Sequence, residues 1–339
     1  MSDYLFDKTG DDPAVAELEG LLGAYAHRAP LREPPPREPG RRRRWLAASV
    51  AGGLVAVAAV IVVLLRPGHD DRDGCAGAGT GFAFAVEGGP ARCGGGAASR
   101  GTLPVGAWLE TSSSAVADVR VADIGELTVY GDSRVRLVGT GTGGHRMELA
   151  RGKLAARVVA PPRLFIIDTP VATAVDLGCA YELSVDRDGR THLRVTTGVV
   201  SLEGHGFVAY APMGTEVLAE PGRGPGTPVA VDAPDRLRAA VARFDGGDPA
   251  AVRAIVDDSG PHDTITLWNL LSRTAAAERA TVVAKLDELA GRPDTVRTED
   301  VLAGDAAAIE RWREALDERW ICPPCFAKPV EKPLQKTRK

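Results

Sequence analysis

Cys322-Pro323-Pro324-Cys325, preceded by Trp320, has the spacing of a redox dithiol. That chemistry needs a βαβ framework with the first cysteine at a helix start, where the thiolate is stabilised. Few residues follow the motif, so this framework is not expected, and no further thiolates or imidazoles stand at zinc-ligand spacing from it. Three readings stay open for Cys322 and Cys325: a local or exchange-prone disulfide, unpaired surface thiols, and catalysis. Asp186-Arg187-Asp188-Gly189 opens like a calcium loop but lacks the later oxygen ligands and the closing Glu. Asp-Gly between alternating segments reads instead as a hairpin turn. The six histidines (His27, His69, His145, His192, His205, His262) show neither H-x-H nor H-E-x-x-H spacing. His192 shares its segment with Leu193 and Val195, which alternate to the other face, so it is expected on a solvated surface. No G-x-S-x-G, P-loop or paired-carboxylate signature is present. The expectation is a chain that is not an enzyme, with no catalytic residues, no metal site and no cofactor.

A chain without local chemistry must work through what its elements present and where they present it. At 339 residues it has room for two folded units by length. Charged residues make up 25% and hydrophobic ones 44%, ordinary values for globular protein. A net charge of -4, with basic residues in short runs, excludes a basic face for direct nucleic-acid binding. The exception to ordinary composition is WLAASVAGGLVAVAAVIVVLL, Trp45 to Leu65, an uncharged run as long as the roughly 20 residues of a spanning helix. Arg41 to Arg44 precede it, and His69, Asp70, Asp71, Arg72 and Asp73 follow Arg66 on its far side. Cationic flanks stay in the cytoplasm, which predicts residues 1–44 inside and the bulk of the chain outside. The rivals are a cleaved signal peptide, expected nearer the terminus with a shorter apolar run, and a buried helix. Small residues at Ser49, Gly53 and at Gly52, Ala56 would let two such helices self-associate.

Around this span the chain divides by composition. Residues 1–44 hold a short amphipathic helix, with Val15, Leu18, Leu22 and Tyr25 on one face, and a Pro/Arg-rich tether. So short a helix needs a partner, protein or membrane surface; the other reading is a fraying helix in a disordered tail. Residues 66–102 read as a Gly/Ala-rich linker, with Phe82 to Val86 a candidate first strand. Within it, a bridge between Cys75 and Cys93 would close a loop of about 18 residues and stabilise by roughly 3 kcal/mol. From 103 to 220, apolar residues alternate with polar or small ones at Val119/Val121, Leu127/Val129, Val135/Leu137 and Tyr181/Leu183/Val185. Turn signals separate them at Gly131-Asp132, Gly139 to Gly144, Gly152, Asp188-Gly189 and Gly204. Strands without intervening helices predict a mainly β unit, a solenoid-like double sheet or a sandwich. Cys179 falls among them as a small buried hydrophobe. Residues 221–233 read as a second linker, and 234–321 revert to helical spacing at Leu237/Val241/Phe244, Val252/Ile255/Val256, Val282/Val283/Leu286/Leu289 and Ile309/Trp312/Leu316. Asp248-Pro249, Asp263, Thr298 and Asp305 mark helix starts, Gly291 a stop, and 322–339 hold the CPPC motif and a basic tail.

The order of the β motifs carries a resemblance. VGAWLET (Val105 to Thr111), ADIGELTVYGDSRVRLV (Ala122 to Val138), ELARGKLAARV (Glu148 to Val158) and FIIDTPVATAVDLGCAYELSVDRDGRTHLRVTTGVVSLEG (Phe165 to Gly204) follow one another downstream of the apolar span. In that order they resemble the FecR family, membrane-anchored bacterial regulators whose extracytoplasmic β domain connects envelope events to a cytoplasmic sigma factor. The resemblance implies an anti-sigma-type sensor whose residues 1–44 hold a sigma factor of ECF type through Val15, Leu18, Leu22 and Tyr25. It also implies an outer partner, an envelope protein or a cell-wall polymer. Residues 1–44 lack the tryptophan-bearing segment of better-known members, and the chain closes in helices where many members have a small α/β domain. No iron-siderophore signal is therefore implied. The competing reading is an anchored envelope adaptor with no transcriptional role.

Overall fold

The computed structural model describes Cys75 and residues 80–321. The span expected at Trp45–Leu65, the helix bearing Val15, Leu18, Leu22 and Tyr25, and the Cys322/Cys325 pair lie outside the described residues. Among the described residues no helix is long and apolar enough to cross a membrane.

Strands β1 (Gly81–Glu87), β2 (Ala91–Cys93), β3 (Gly96–Ala97), β4 (Arg100–Pro104) and β5 (Trp108–Thr111) come first. β6 (Val116–Val121), β7 (Gly125–Val129), β8 (Arg134–Gly141) and the 15-residue β9 (Gly144–Val158) follow. Then come β10 (Phe165–Asp168), β11 (Thr173–Asp176), β12 (Ala180–Val185), β13 (Thr191–Thr197), β14 (Val199–Gly204), β15 (Phe207–Pro212) and β16 (Thr215–Glu220). Two short strands, β17 (Gly224–Pro225) and β18 (Val229–Ala230), lie beside β16.

Side-chain alternation explains the architecture. In β6, Ala117, Val119 and Val121 are buried while Asp118 and Arg120 are exposed; in β13, Leu193 and Val195 are buried while His192 and Arg194 are exposed. Strands with one apolar face need a second layer to cover it. The chain supplies that layer by placing successive hairpins in opposite sheets. The front sheet runs β4-β1-β6-β7-β9-β12-β13-β16, ending on β17 and β18. The back sheet runs β3-β2-β5-β8-β9-β10-β11-β14-β15, in which β9 and β10 pair in parallel. Their inner faces share one core, which includes Phe82, Leu103, Leu127, Met147, Leu154, Leu193 and Val217.

β9 belongs to both sheets. Up to Arg151 it pairs with β8 in the back sheet, and from Gly152 onward it pairs with β12 and then also β7 in the front. Gly152 therefore lies inside a strand, although its residue type reads as a turn. Its φ of +92° suits glycine, and a Cβ there would stand 2.4 Å from the Ser133 Cα. Ser133 is fully buried, and its hydroxyl accepts from the Lys153 N–H at 2.9 Å and donates to the Lys153 carbonyl at 3.1 Å. The Ser133 N–H in turn donates to Thr111 Oγ1 at 3.0 Å. A register shift between Arg134 and Val135 accompanies the bend, as bulges do where a strand must turn.

Both stretches read as linkers are more ordered than their composition suggests. Residues 81–104 form β1 to β4, and Gly224 to Ala230 are buried against β16. Glycine and alanine here mark close approach: a Cβ at Gly101 would stand 2.1 Å from the Cys75 carbonyl oxygen. That oxygen accepts from the Thr102 N–H at 3.0 Å, so the chain at Cys75 covers the outer edge of β4. A disulfide joins Cys75 to Cys93 of β2, with Cα atoms 5.9 Å apart.

Helices α1 (Asp235–Asp245), α2 (Ala251–Asp258), α3 (Thr264–Leu271), α4 (Ala276–Ala290), α5 (Thr298–Ala303) and α6 (Ala306–Ile321) bury a second core around Leu237, Ile255, Leu267, Leu286 and Trp312. Asp305 caps α6, its Oδ1 accepting from the Ala308 N–H at 2.7 Å, and Gly291 ends α4 with φ +74°. The helices dock on the back sheet at Tyr210. Asn269 of α3 accepts from the Tyr210 N–H and donates to its carbonyl, each at 3.1 Å, standing in for the strand that β15 lacks. The Tyr210 hydroxyl donates to Asp317 Oδ1 at 2.8 Å and accepts from Arg313 Nη1 at 3.0 Å. Burial, then the bond to Asp317, push this phenol well above its usual range, so it stays neutral. Trp268 and Trp320 pack on its ring at 5.9 and 6.1 Å.

Two outcomes are expected in urea unfolding of the full chain. Gly152→Ala should cost about 3 to 5 kcal/mol, from a strained φ and the Ser133 collision together. Gly206→Ala, at φ +78° with open space around it, should cost only about 1 kcal/mol; equal losses would remove the crossing strand from its central place. Replacing Cys75 and Cys93 together by Ala should lower stability by about 3 kcal/mol, and an unchanged midpoint would mean that the bridge is idle.

Candidate functional site

A groove of about 1020 Å³ lies on the outer face of the front sheet. In β16 the residues Thr215, Val217 and Ala219 point into the core, which leaves Glu216, Leu218 and Glu220 on the outer face. His192 of β13 stands opposite Leu218. Helix α1 forms one wall with Arg238, Val241 and Asp245, and the glycine-rich turn 222–226 forms another. Gly226 keeps that turn close, because a Cβ on it would meet Asp245 Oδ2 at 2.6 Å.

The charges in the groove are spent on one another. Arg238 pairs with Glu216 and also donates to the Ala230 and Ala233 carbonyls, each at 3.0 Å. His192 Nε2 lies 3.5 Å from the other Glu216 oxygen. Arg273 pairs with Asp245 at 3.1 Å and donates to Thr227 Oγ1 at 2.7 Å. Asp245 accepts from the Thr227 N–H and hydroxyl, each at 2.8 Å. Burial raises the Asp245 carboxyl, while Arg273 and Thr227 draw it back down. The Arg273 guanidinium lies over the Phe207 and Phe244 rings, 5.2 and 5.5 Å from their centroids. What the groove offers outward is therefore mostly apolar, with Phe207 41% and Leu218 48% exposed. Such a surface can recognise a partner.

A second surface feature, on the outer face of the back sheet, neutralises itself. Trp108 of β5 carries Arg134 and Arg136 of β8 against its ring, at 4.1 and 4.7 Å. Arg134 pairs with Glu110, Arg136 with Glu148 and Arg146 with Asp168. Exposed pairs of this kind contribute little to stability, and cross-strand they help to fix register.

Of the site candidates expected from the sequence, Cys75 and Cys93 are among the described residues and do not line the groove, whereas His192 and His205, which stand at no metal-ligand spacing, do. Cys75 and Cys93 are joined at the edge of β4 and β2, and the remaining candidates lie outside the described residues. Asp186-Gly189 forms the β12–β13 turn, where Asp186 Oδ1 accepts from the Asp188 and Arg190 N–H groups at 2.9 Å. The groove residues Phe207, Phe244, Asp245 and Arg273 come from distant parts of the chain and carry no local motif. Leu218 is the exception: in TEVLAE it places an apolar side chain at an outward position of an alternating strand, a signal readable without a structure.

Residues 108–201, from the start of β5 to the middle of β14, match the family described as FecR protein. No curated protein matches the chain significantly. Two crystal structures of a candidate anti-sigma factor from Parabacteroides distasonis are similar at 14% identity and a TM-score of 0.33. One likeness covers 56% of this chain and 79% of that one, the other 60% and 90%. The part of the double sheet centred on the crossing strand β9, residues 108–201, is thus the part of the chain that matches the FecR family.

Proposed function

We propose that the chain is a single-pass inner-membrane regulator of anti-sigma type, with the FecR domain and helices in the periplasm and residues 1–44 in the cytoplasm. The observation that carries this reading is a FecR match downstream of an apolar run that four consecutive arginines, Arg41 to Arg44, precede, while the far side mixes Arg66 and Arg72 with acidic residues. The Cys75–Cys93 bridge supports an oxidising compartment for the domain. Inside, the face formed by Val15, Leu18, Leu22 and Tyr25 grips a sigma factor of ECF type. Outside, the groove of the front sheet receives an envelope protein. A cell-wall polymer suits it less well, because the groove charges are already paired and its exposed side chains are apolar. One helix carries no signal by position alone, so the message passes as changed self-association, helix rotation or cleavage within the membrane. The self-association is supported by the small residues Ser49, Gly52, Gly53 and Ala56.

Two experiments check this reading. Reporters fused at residue 30 and after residue 321 should signal cytoplasm and periplasm respectively; the reverse orientation, or a mature product lacking residues 45–65, overturns it. A photo-crosslinker placed at Leu18 or Leu22 of the full-length chain should capture a sigma factor in cells. Capture of none, with an envelope phenotype that survives deletion of residues 1–40, would make the chain an anchored adaptor instead.

A further inference from the structure

Four passages between the sheets meet in one place. The chain passes front to back after β9, back to front between β11 and β12, front to back at Gly198 between β13 and β14, and back to front at Met213-Gly214 between β15 and β16. Backbone hydrogen bonds tie these passages together. The Val158 N–H donates to the Cys179 carbonyl at 3.0 Å and the Arg163 N–H to the Asp176 carbonyl at 2.8 Å. The Leu177 N–H donates to the Val199 carbonyl at 3.2 Å and the Met213 N–H to the Gly198 carbonyl at 2.8 Å. Packing is tight, since a Cβ on Gly198, at φ +71°, would stand 2.2 Å from the Gly178 carbonyl oxygen.

At this meeting point lies a buried carboxyl group with no cation beside it among the described residues. Asp176 is 2% exposed; its Oδ1 accepts from the Gly178 N–H at 2.6 Å and its Oδ2 has no hydrogen-bond partner. The Tyr181 hydroxyl, on a side chain 1% exposed, has none either. The buried Cys179 thiol is the third polar group of the cluster. Among the described residues no cation pairs with Asp176. Arg163, whose backbone touches it, spends its guanidinium on Glu203 at 3.0 Å. Arg157 of β9 and His192 and Arg194 of β13 are exposed, and on β12 Glu182 pairs outward with Lys153. A buried carboxylate without a cation is among the costliest groups a fold can hold, whereas the neutral acid is far cheaper to bury.

We propose that Asp176, Cys179 and Tyr181 form a proton-operated latch: Asp176 carries a proton in the closed FecR domain, and losing it loosens the joined passages. Burial raises the carboxyl above its ordinary range, and burial first, then the neighbouring Asp176, raises both the thiol and the phenol, so the carboxyl is the group that titrates. The sign follows from linkage. An acid whose folded pKa lies above its unfolded value stabilises fully below the unfolded value, near 4, and loses that contribution as pH rises through the folded one. The domain thus tightens in acid and loosens toward alkaline pH. That the pH it reads is periplasmic rests on the topology proposed above; the latch itself does not.

Hydrogen exchange of the full chain, corrected for intrinsic rates, tests this at pH 5 to 8. Protection of amides 177–181 and 198–200 should fall by up to about tenfold per pH unit between the unfolded value near 4 and the raised folded pKa, the yield of one proton, and level off above it. Asp176→Asn should flatten that profile, and Tyr181→Phe, which keeps the acid, should retain a pH-dependent fall. A carboxyl carbon NMR titration of unmutated protein gives a readout that needs no variant to fold, and it should find Asp176 titrating above the ordinary aspartate range. Flat protection in the unmutated chain, an unchanged slope in Asp176→Asn, or titration of Asp176 near pH 4 would each overturn the latch. Neither readout involves a membrane or a cytoplasmic partner, so failure here leaves the topology reading standing, and failure of that reading leaves the latch standing.

Discussion

The β-domain depends on a requirement that each strand imposes and no strand can meet alone. Alternation gives a strand one apolar face, and that face must be covered by a strand from a different layer. A chain built of short hairpins meets this by changing sheets again and again, and at each change it loses ladder hydrogen bonds that have to be replaced. β9 makes the most economical change, because it leaves one sheet and joins the other without leaving the extended conformation. Gly152 permits the bend, and Ser133, held by Thr111, bonds both backbone groups of Lys153 immediately after it. The other passages are loops, and they replace the missing bonds with one another's backbones.

A stack of two open sheets also has ends, and an unpaired edge invites association. This domain covers its ends differently. At one, Cys75 bonds the outer edge of β4 through its carbonyl and is fastened to β2 by the disulfide. At the other, a side-chain amide occupies the outward backbone groups of β15 at Tyr210, and a ring of aromatic and charged groups fixes the helix that presents it. The helices are thus a cap on the double sheet as well as a wall of its groove, which is why they pack on the β-domain and not apart from it.

What the sequence reveals here follows the range of the interaction that decides it. Alternation at Val119/Val121 and Tyr181/Leu183/Val185 is local, and it identifies the strands and their buried faces. Helix starts such as Asp305 and the stop at Gly291 are equally local, since a cap is decided within one turn. Gly152 marks the limit: its residue type announces a special φ, but only the distant Ser133 decides whether that φ makes a turn or a bend within a strand. The Gly/Ala-rich residues 81–104 mislead in the same way, because small residues that suit a flexible linker also suit backbones in contact, as at Gly101 against Cys75. The groove is least legible of all. Arg273 and Asp245 become partners only after helices and sheet have docked, and composition offers no sign of it.

The buried cluster and the groove are joined through the last passage between the sheets. Gly198, packed against the Asp176–Cys179 turn, accepts from the Met213 N–H, and the Gly214 N–H donates to the Val195 carbonyl at 2.9 Å. Gly214 then accepts from the Val231 N–H at 2.8 Å, and β16, which starts at Thr215, carries Glu216 and Leu218 onto the groove floor. Arg238 holds Glu216 from the helical side. A displacement at the cluster therefore has a continuous backbone route to the strand that bears the recognition surface, and the helix wall is tied to that same strand. Asp176, a buried acid with no cation beside it among the described residues, thus sits at the root of a strand that sheet, helices and groove share.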